Sequence, residues 1–186
     1  MSEQQTSDNH THDQRRDRGR ADGHDQTRRT TFEIAFDLTP QTPTWPPVAV
    51  ERLWGVRTAV PSEVRLLNVP FFARGVAYGD LVHVRPDHDR RELVFERLNG
   101  ESGHSVLRVA ILRKGARGQV EGHLRRAGCL WETTAKFPAL LAVDVPPDAD
   151  YPALRAWLEA LAVERVVEFQ ESAISALHLD RLPSLT

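Results

Sequence analysis

The feature that most constrains the fold is a series of short apolar runs, interrupted by proline and glycine, across residues 31–100. In the first run Phe32, Ile34 and Phe36 alternate with polar or small residues, which is the period of a half-buried strand. Further short runs follow without any helical period. The pattern therefore predicts a small, strongly bent β-sheet or a partly closed barrel over residues 31–100.

The most heavily punctuated part of this region is the stretch of residues 68–84. Pro70 fixes φ and removes an amide donor, and two later glycines permit positive φ, so we expect a loop that leads into a strand. Phe71 and Phe72 lie in this loop. If they are buried against a second unit they are part of the architecture, and if they are exposed beside Trp54 they mark a binding surface.

From residue 105 the pattern changes to strand, helix, strand, strand, helix, strand. Asp150 is the expected N-cap of the second helix, which carries an apolar stripe at helical spacing. This order predicts a ferredoxin-like split βαβ unit over residues 101–172. Residues 173–186 are expected to be a C-terminal tail, either a short helix or a docked segment. The predicted fold class is α+β, with the barrel-like unit first.

Residues 1–30 differ from the rest of the chain in having almost no apolar side chains. Met1 and Ala21 are the only ones, and six arginines balance six acids. Such a segment buries too little surface to offset the entropy of ordering, so it is predicted to be disordered. The balanced charge argues against an arm that binds nucleic acid.

Composition indicates the cellular setting. Cys129 is the single cysteine among 186 residues, so no disulfide can form within the chain and a reducing cytosol is expected. We expect Cys129 to be a small packing residue, because no histidine stands at a recognisable catalytic spacing from it. No apolar run is long enough to span a bilayer, and the net charge is -2. The sequence predicts a cytoplasmic protein with no membrane partner.

Several local patterns together resemble a known family. They are Leu53-Trp54-Gly55, the run from Leu66 through Asn68-Val69-Pro70-Phe71-Phe72 to Gly79-Asp80, Ser102-Gly103-His104-Ser105 with Arg108, Gly128-Cys129 with Glu132, Val143-Asp144-Val145-Pro146, and Glu168-Phe169. The combination is similar to the bacterial family catalogued as domain of unknown function 4265, over about residues 32–172. The resemblance implies no established activity and supplies no catalytic residue.

Ser102, His104 and Arg108 form a constellation that could carry chemistry. A serine or histidine in a turn before a strand could act as nucleophile or base, with the arginine as an anion clamp. However, a serine and a histidine two residues apart seldom face each other, and both could instead satisfy backbone groups of the turn. Arg108 could join a cross-strand ionic cluster with Asp144 and Glu168. We therefore keep the three residues only as candidates and assign no catalytic residue.

Two groups of histidines and acids have the composition of a metal site. They are His10, His12 and His24 in the polar tail, and His83, Asp87, His88 and Asp89 in the barrel-like unit. Holding a metal would order the tail at a high entropic cost, and the second group matches no closed zinc pattern and is typical of a polar hairpin turn. We predict no metal and no cofactor.

Charge is distributed unevenly along the second unit. Between residues 108 and 128, six basic residues face one acid, Glu121. Among them, Arg113, Arg117, Arg125 and Arg126 are candidates for a binding surface. This surface could meet an acidic protein or a phosphate backbone. Recognition of RNA on the sheet face is disfavoured, because the strand over residues 139–145 carries no aromatic side chain.

These patterns favour a non-enzymatic binding or regulatory protein that recognises a peptide or protein partner. Trp54, Phe71 and Phe72, with the four arginines, are the candidate binding surface. A hydrolase or transferase that uses Ser102 or His104 with Arg108 is one alternative. Nucleic-acid binding through the basic first helix of the second unit is another, and the balanced overall charge disfavours it.

Overall fold

The computed structural model describes residues 30–183, which form a five-stranded barrel followed by a four-stranded sheet with helices. The barrel strands are β1 (Thr31–Asp37), β2 (Val50–Arg57), β3 (Glu63–Leu66), β4 (Leu81–Asp87) and β5 (Glu92–Gly100). The elements of the second unit are β6 (Ser105–Ile111), α1 (Arg117–Arg126), β7 (Leu130–Thr134), β8 (Phe137–Val145), α2 (Tyr151–Val163), β9 (Val167–Ala173) and α3 (Ala176–Leu179). The predicted α+β fold class is confirmed.

The barrel is built from antiparallel neighbours and closed by one parallel contact. β1 to β5 pair in sequence order, and the ring closes where Ile34 and Ala35 of β1 lie beside Leu93 and Val94 of β5. The apolar residues of the alternating runs, such as Ile34, fill the interior. Gly55 is required at its position, because a Cβ atom there would lie 2.3 Å from a methyl carbon of Val64.

The second unit follows the predicted element order, and its sheet has the strand order β7-β8-β6-β9 with antiparallel neighbours throughout. Alternate residues point to opposite faces, so Leu107 and Val109 of β6 pack under the helices. Asp150 caps α2 as predicted, since its side chain accepts a hydrogen bond from the amide of Ala153. The turn between β7 and β8 lies just before Phe137, so Pro138 is inside β8.

The loop between β3 and β4 joins the two units. It contains Gly75 and Gly79 at positive φ, as expected for a loop. Phe71 and Phe72 are buried in a cluster with Val106 of β6 and further residues of the sheet. Phe71 and Phe72 are therefore buried against the second unit as part of the architecture, and they are not an exposed binding surface beside Trp54.

Glu51 of β2 holds this loop in place. Its carboxylate accepts hydrogen bonds from the amides of Phe71, Phe72 and Ala73 at 2.6, 2.9 and 2.6 Å. One acid thus satisfies three successive backbone donors in a segment that has no strand partner.

The C-terminal segment is both a short helix and a docked one. His178 of α3 is fully buried, its Nδ1 lies 2.7 Å from Ser105 Oγ, and its ring stacks on Tyr151. The predicted disorder of residues 1–30 concerns residues 1–29, which lie outside the described part of the chain. None of the helices described over residues 30–183 has the length and apolar character needed to cross a membrane.

Candidate functional site

The face of the second sheet that points away from α1 and α2 packs against the barrel loop around its middle. Val106 and Ala142 lie there, against the phenylalanine loop. A cavity remains on each side of this contact. We call them the dyad cleft, which contains His104 and Asp144, and the arginine groove, which contains Arg108.

The dyad cleft has a volume of about 620 Å³ and lies between the two units. Its barrel wall is formed by Leu67, Asn68, Val69 and Tyr78, and its other wall by His104, Arg125, Gly128, Cys129, Leu130, Trp131, Glu132, Asp144 and Pro146. A cleft of this size with an apolar lining and a few polar groups is typical of a ligand site.

His104 and Asp144 form a hydrogen-bonded pair in this cleft. His104 Nδ1 lies 2.8 Å from Asp144 Oδ1, and the imidazole and the Tyr78 ring meet in a T-shaped arrangement with centroids 5.2 Å apart. Burial raises the pKa of the Asp144 carboxyl, and the hydrogen bond and charge of His104 act in the opposite direction. Within the described residues, Nε2 of His104 makes no hydrogen bond, so it is the ring nitrogen available for a ligand or a proton.

Ser102 is engaged in the turn before β6. Its hydroxyl donates to the carbonyl of Tyr78 at 2.7 Å and accepts from the amide of His104. The buried carboxylate of Asp80 accepts the amides of Ser102 and Ala77, each at 2.7 Å. These contacts match the structural alternative for Ser102, because its hydroxyl satisfies backbone groups.

Cys129 lines the dyad cleft but is only 2% exposed. Burial, together with the nearby charge of Asp144, raises the pKa of its thiol to about 12. The thiol is therefore protonated at neutral pH, and Cys129 is the packing residue that the sequence indicated.

The rim of the dyad cleft is apolar and accessible. Tyr78 and Leu130, both in the lining, are 39% and 70% exposed, and Trp54 is 47% exposed. Trp54 is attached to the lining, since its amide donates to Asn68 Oδ1 and its carbonyl accepts from the amide of Leu67. Two large exposed apolar side chains, Tyr78 and Leu130, thus line the opening, and the exposed Trp54 is joined to the lining through its backbone.

Strand β7 forms an edge of this opening. Over residues 30–183 it pairs with β8 alone, so its outer edge has no strand partner there. Leu130, Trp131 and Glu132 of β7 line the cleft, and the guanidinium of Arg125 lies 5.4 Å from the Trp131 ring centroid. The cleft therefore combines an open backbone edge with apolar side-chain surface.

The arginine groove lies over the opposite half of the same sheet face and has a volume of about 540 Å³. Arg108 is 2% exposed, and its guanidinium donates to Gln170 Oε1 at 2.8 Å, to the Ala73 carbonyl at 3.1 Å and to the Phe72 carbonyl. Burial lowers the pKa of Arg108 to about 10, an effect partly opposed by the charge of Glu51.

The structure separates the three candidates for catalysis. His104 lines the dyad cleft, Arg108 lines the arginine groove, and Ser102 lines neither. The expected ionic cluster of Arg108 with Asp144 and Glu168 is wrong. In the register of the sheet Arg108 lies beside Ala142 of β8 and Gln170 of β9. Asp144 and Glu168 are each two residues away from these positions along their strands, and Asp144 pairs with His104 instead.

Three of the four candidate arginines make separate contacts. Arg113 donates to the Glu164 carbonyl, Arg117 pairs with Glu121, and Arg125 lies over Trp131. Arg125 and Arg126 are exposed at the C-terminal end of α1, and only Arg125 lines the dyad cleft. Their placement does not create one continuous basic surface with the phenylalanines, which are buried.

The candidate metal residues of the barrel are engaged in pairs and turns. His83 Nδ1 lies 2.8 Å from Glu96, and Asp87 accepts the amide of Arg90 in the turn between β4 and β5. No group of three or more histidine, cysteine or acidic residues comes together as a metal site among residues 30–183. The tail histidines His10, His12 and His24 lie outside the described residues.

The sequence missed the partner of His104 and the role of β7. Val106 lies beside Asp144 in the sheet, which brings Asp144 close to His104 just ahead of β6. The polarity of Asp144 among the apolar residues of β8 was the available signal, since a buried acid in a central strand requires a partner.

Comparison with known proteins assigns the chain to a family and finds a solved structure with a similar fold. The family model described as Domain of unknown function (DUF4265) matches residues 51–169, which is more than half of the chain. The chain belongs to this family. This confirms the resemblance noted in the sequence. No curated protein matches the chain.

One solved structure has a similar fold. It is described as a novel crystal structure of a hypothetical protein from Neisseria gonorrhoeae, and it shares 14% sequence identity with this chain. The match covers 78% of this chain and 96% of the other, with a TM-score of 0.62. At this identity the similarity concerns the fold of the family member and not its activity.

Proposed function

We propose that the protein is a non-enzymatic binding protein that takes up an extended peptide segment of a partner in the dyad cleft. The observation that carries this proposal is the open edge of β7 along the cleft. An extended segment can add to such an edge as a further strand, with main-chain hydrogen bonds supplying affinity.

The side chains around the edge support the same function. Trp54, Tyr78 and Leu130 are large, apolar and exposed, and aromatic residues at the rim of a cleft are frequent anchors in interfaces. An extended segment places alternate side chains on opposite faces. Every second residue of the bound segment would therefore enter the cleft and contact Leu67, Val69 and Tyr78.

The setting proposed for this function is the bacterial cytosol, with a peptide or protein as the partner. The single cysteine is consistent with a reducing compartment. The element order and the antiparallel strand order of the second unit support a ferredoxin-like classification, because both match the split βαβ arrangement.

Selection from a library of random heptapeptides, followed by calorimetry on the enriched sequences, tests the proposal. We expect Leu130→Asp to weaken binding by at least about tenfold, because it removes an apolar contact and adds a charge at the opening. Leu112→Asp is the matched control, since Leu112 is another exposed leucine of the second unit and does not line the cleft. Failure to enrich any sequence, or equal binding by both variants and wild type, would reject the proposal.

A second candidate function is hydrolysis, which is favoured by the His104–Asp144 pair. A histidine oriented through Nδ1 by a buried carboxylate can act as a general base through Nε2. Because Ser102 is engaged in its turn and the Cys129 thiol is protonated, the nucleophile would be water. His104 would take a proton from the water as its oxygen bonds to an acyl carbon, and would return it to the leaving alkoxide.

Hydrolysis of p-nitrophenyl esters of different acyl lengths distinguishes this candidate. A hydrolase requires a rate that falls at least about a hundredfold in His104→Gln and changes little in Ser102→Ala, since general base catalysis contributes on that order. A rate that is the same in wild type and His104→Gln would exclude the base role and leave peptide binding as the function of the cleft.

A further inference from the structure

We propose that the arginine groove is a second ligand site, which binds a small monoanion with an apolar body and a carboxylate as its charged group. The site is separate from the dyad cleft, and the proposal does not depend on peptide binding. It rests on the burial of Arg108, on the charges around it and on the walls of the groove.

Arg108 is a buried cation whose hydrogen-bond acceptors are all uncharged. They are Gln170 Oε1 and the carbonyls of Phe72 and Ala73. Its Nε is buried and has no hydrogen-bond partner among residues 30–183. A buried donor without an acceptor and a buried charge without a counter-ion are both costly, so an anion that reaches the guanidinium would be held strongly.

The nearest acid acts on Arg108 only indirectly. Glu51 binds the amides of Phe71, Phe72 and Ala73, while Arg108 binds the carbonyls of Phe72 and Ala73 on the other side of the same peptide segment. The backbone therefore separates the two charges. The groove side of the guanidinium is the side on which a ligand can supply a direct counter-ion.

The net charge of the groove favours a monoanion. Arg108 and Lys136 are its cationic residues and Glu168 is its acid, which leaves a single positive charge to be balanced. A dianionic phosphate would exceed that charge and would be repelled by Glu168. A carboxylate carries one charge and matches the planar donors of an arginine.

The remaining walls require an apolar body. Trp45 from the barrel lines the groove together with Phe137 and Leu140 of β8, and the groove volume of about 540 Å³ lies in the range of small-molecule sites. A short fatty or aromatic carboxylate would bury its chain against these residues and direct its head group to Arg108.

Calorimetric titration with octanoate and with its neutral analogue octanamide tests the proposal. We expect saturable binding of octanoate, and affinity for octanamide lower by at least about tenfold, as is usual when a hydrogen bond to a charged group is lost. Equal affinity for the two compounds, or no binding of octanoate at millimolar concentration, would overturn it.

Two variants locate the site without removing Arg108. Ala110→Phe fills the groove and is expected to weaken octanoate binding at least about tenfold, whereas Val163→Phe, on exposed surface of α2, leaves it unchanged. If Ala110→Phe does not fold, the exposed Lys136→Glu variant serves instead and should weaken binding several-fold by reversing a charge of the groove. Octanoate binding that neither variant reduces would place the ligand elsewhere and reject the site.

Discussion

The two cavities share one face of one sheet, yet they treat a buried charge in opposite ways. In the dyad cleft the acid Asp144 has an ionisable partner, His104, and both residues belong to the second unit. In the arginine groove the cation Arg108 bonds to neutral acceptors, two of which are carbonyls of the barrel loop. The first charge is compensated locally, and the second is used to join the units.

Because of this difference, substitutions in the two cavities are expected to have different effects. A substitution at Arg108 disturbs the contact between the barrel and the sheet, because it removes donors from buried carbonyls of another unit. A substitution in the dyad leaves that contact intact and alters only the chemistry of the cleft. We therefore expect the free energy of unfolding to depend mainly on Arg108 in the arginine groove. Proton transfer and ligand selectivity should instead depend on the His104–Asp144 pair in the dyad cleft.

The largest expected effect concerns Cys129, and it tests whether the thiol that lines the dyad cleft is shielded from water. At pH 8 a thiol with a pKa of about 12 has roughly a thousandfold less thiolate than one at 9.0, the ordinary value. Iodoacetamide should therefore modify Cys129 roughly a thousand times more slowly in the native protein than in the urea-unfolded chain. If the native protein were modified at pH 8 as fast as the unfolded chain, burial would not suppress the Cys129 thiolate, and the dyad cleft would not shield its titratable groups.

The next effect concerns Arg108 itself. Arg108→Met keeps the length of the side chain but leaves the carbonyls of Phe72 and Ala73 without their donor, so we expect a loss of about 3 kcal/mol in the free energy of unfolding in urea. Arg97→Met, at an exposed arginine of β5, should change it by less than about 1 kcal/mol. Comparable losses in the two variants would mean that Arg108 does not join the units.

Sequence periodicity was sufficient for the elements but not for the contacts between them. The alternation around Ile34 predicts a strand and the order after residue 105 predicts the second sheet, because both signals are local. Phe71 and Phe72 are not decided locally, since a loop aromatic can be buried or exposed according to what lies opposite. That Val106 and Ala142 lie opposite depends on how the two units pack, and no spacing in the chain contains this information.

The candidate site shows the same limit. Neighbouring strands would allow Asp144 to pair with Arg108, but the register of the sheet decides which side chains meet. In the observed register Asp144 lies beside Val106, so that His104 and not Arg108 is its partner. The open edge of β7 also follows only from the order of the strands.

A smaller effect is expected from Glu51, which lies behind the groove. Glu51→Gln removes the charge that receives the amides of Phe71, Phe72 and Ala73, and an amide side chain has a single oxygen for three donors. We expect a loss of about 2 kcal/mol in urea unfolding. Glu96→Gln, at an exposed acid of the barrel, is the control and should have little effect. If both variants behave alike, the loop is held by its phenylalanines alone.

The smallest expected effect is the pH dependence of stability caused by Asp144. Because burial raises the pKa of this carboxyl above its ordinary value of 3.8, the folded protein binds the proton more tightly than the unfolded chain does. The free energy of unfolding therefore falls as pH rises from 3.8 through the folded pKa of Asp144. Asp144→Asn does not show this fall, because the asparagine side chain does not titrate. Measured by urea unfolding between pH 3.5 and pH 6, the stability of the variant relative to wild type should rise with pH.

Asp148→Asn, at an exposed acid of the following loop, controls for the loss of one negative charge. The effect of Asp144→Asn is small because the hydrogen bond and charge of His104 oppose that of burial. The sign is therefore informative. If the relative stability of Asp144→Asn falls with pH instead, the pair with His104 outweighs burial, and the dyad cleft is held together by an ion pair while the arginine groove still lacks a direct counter-ion.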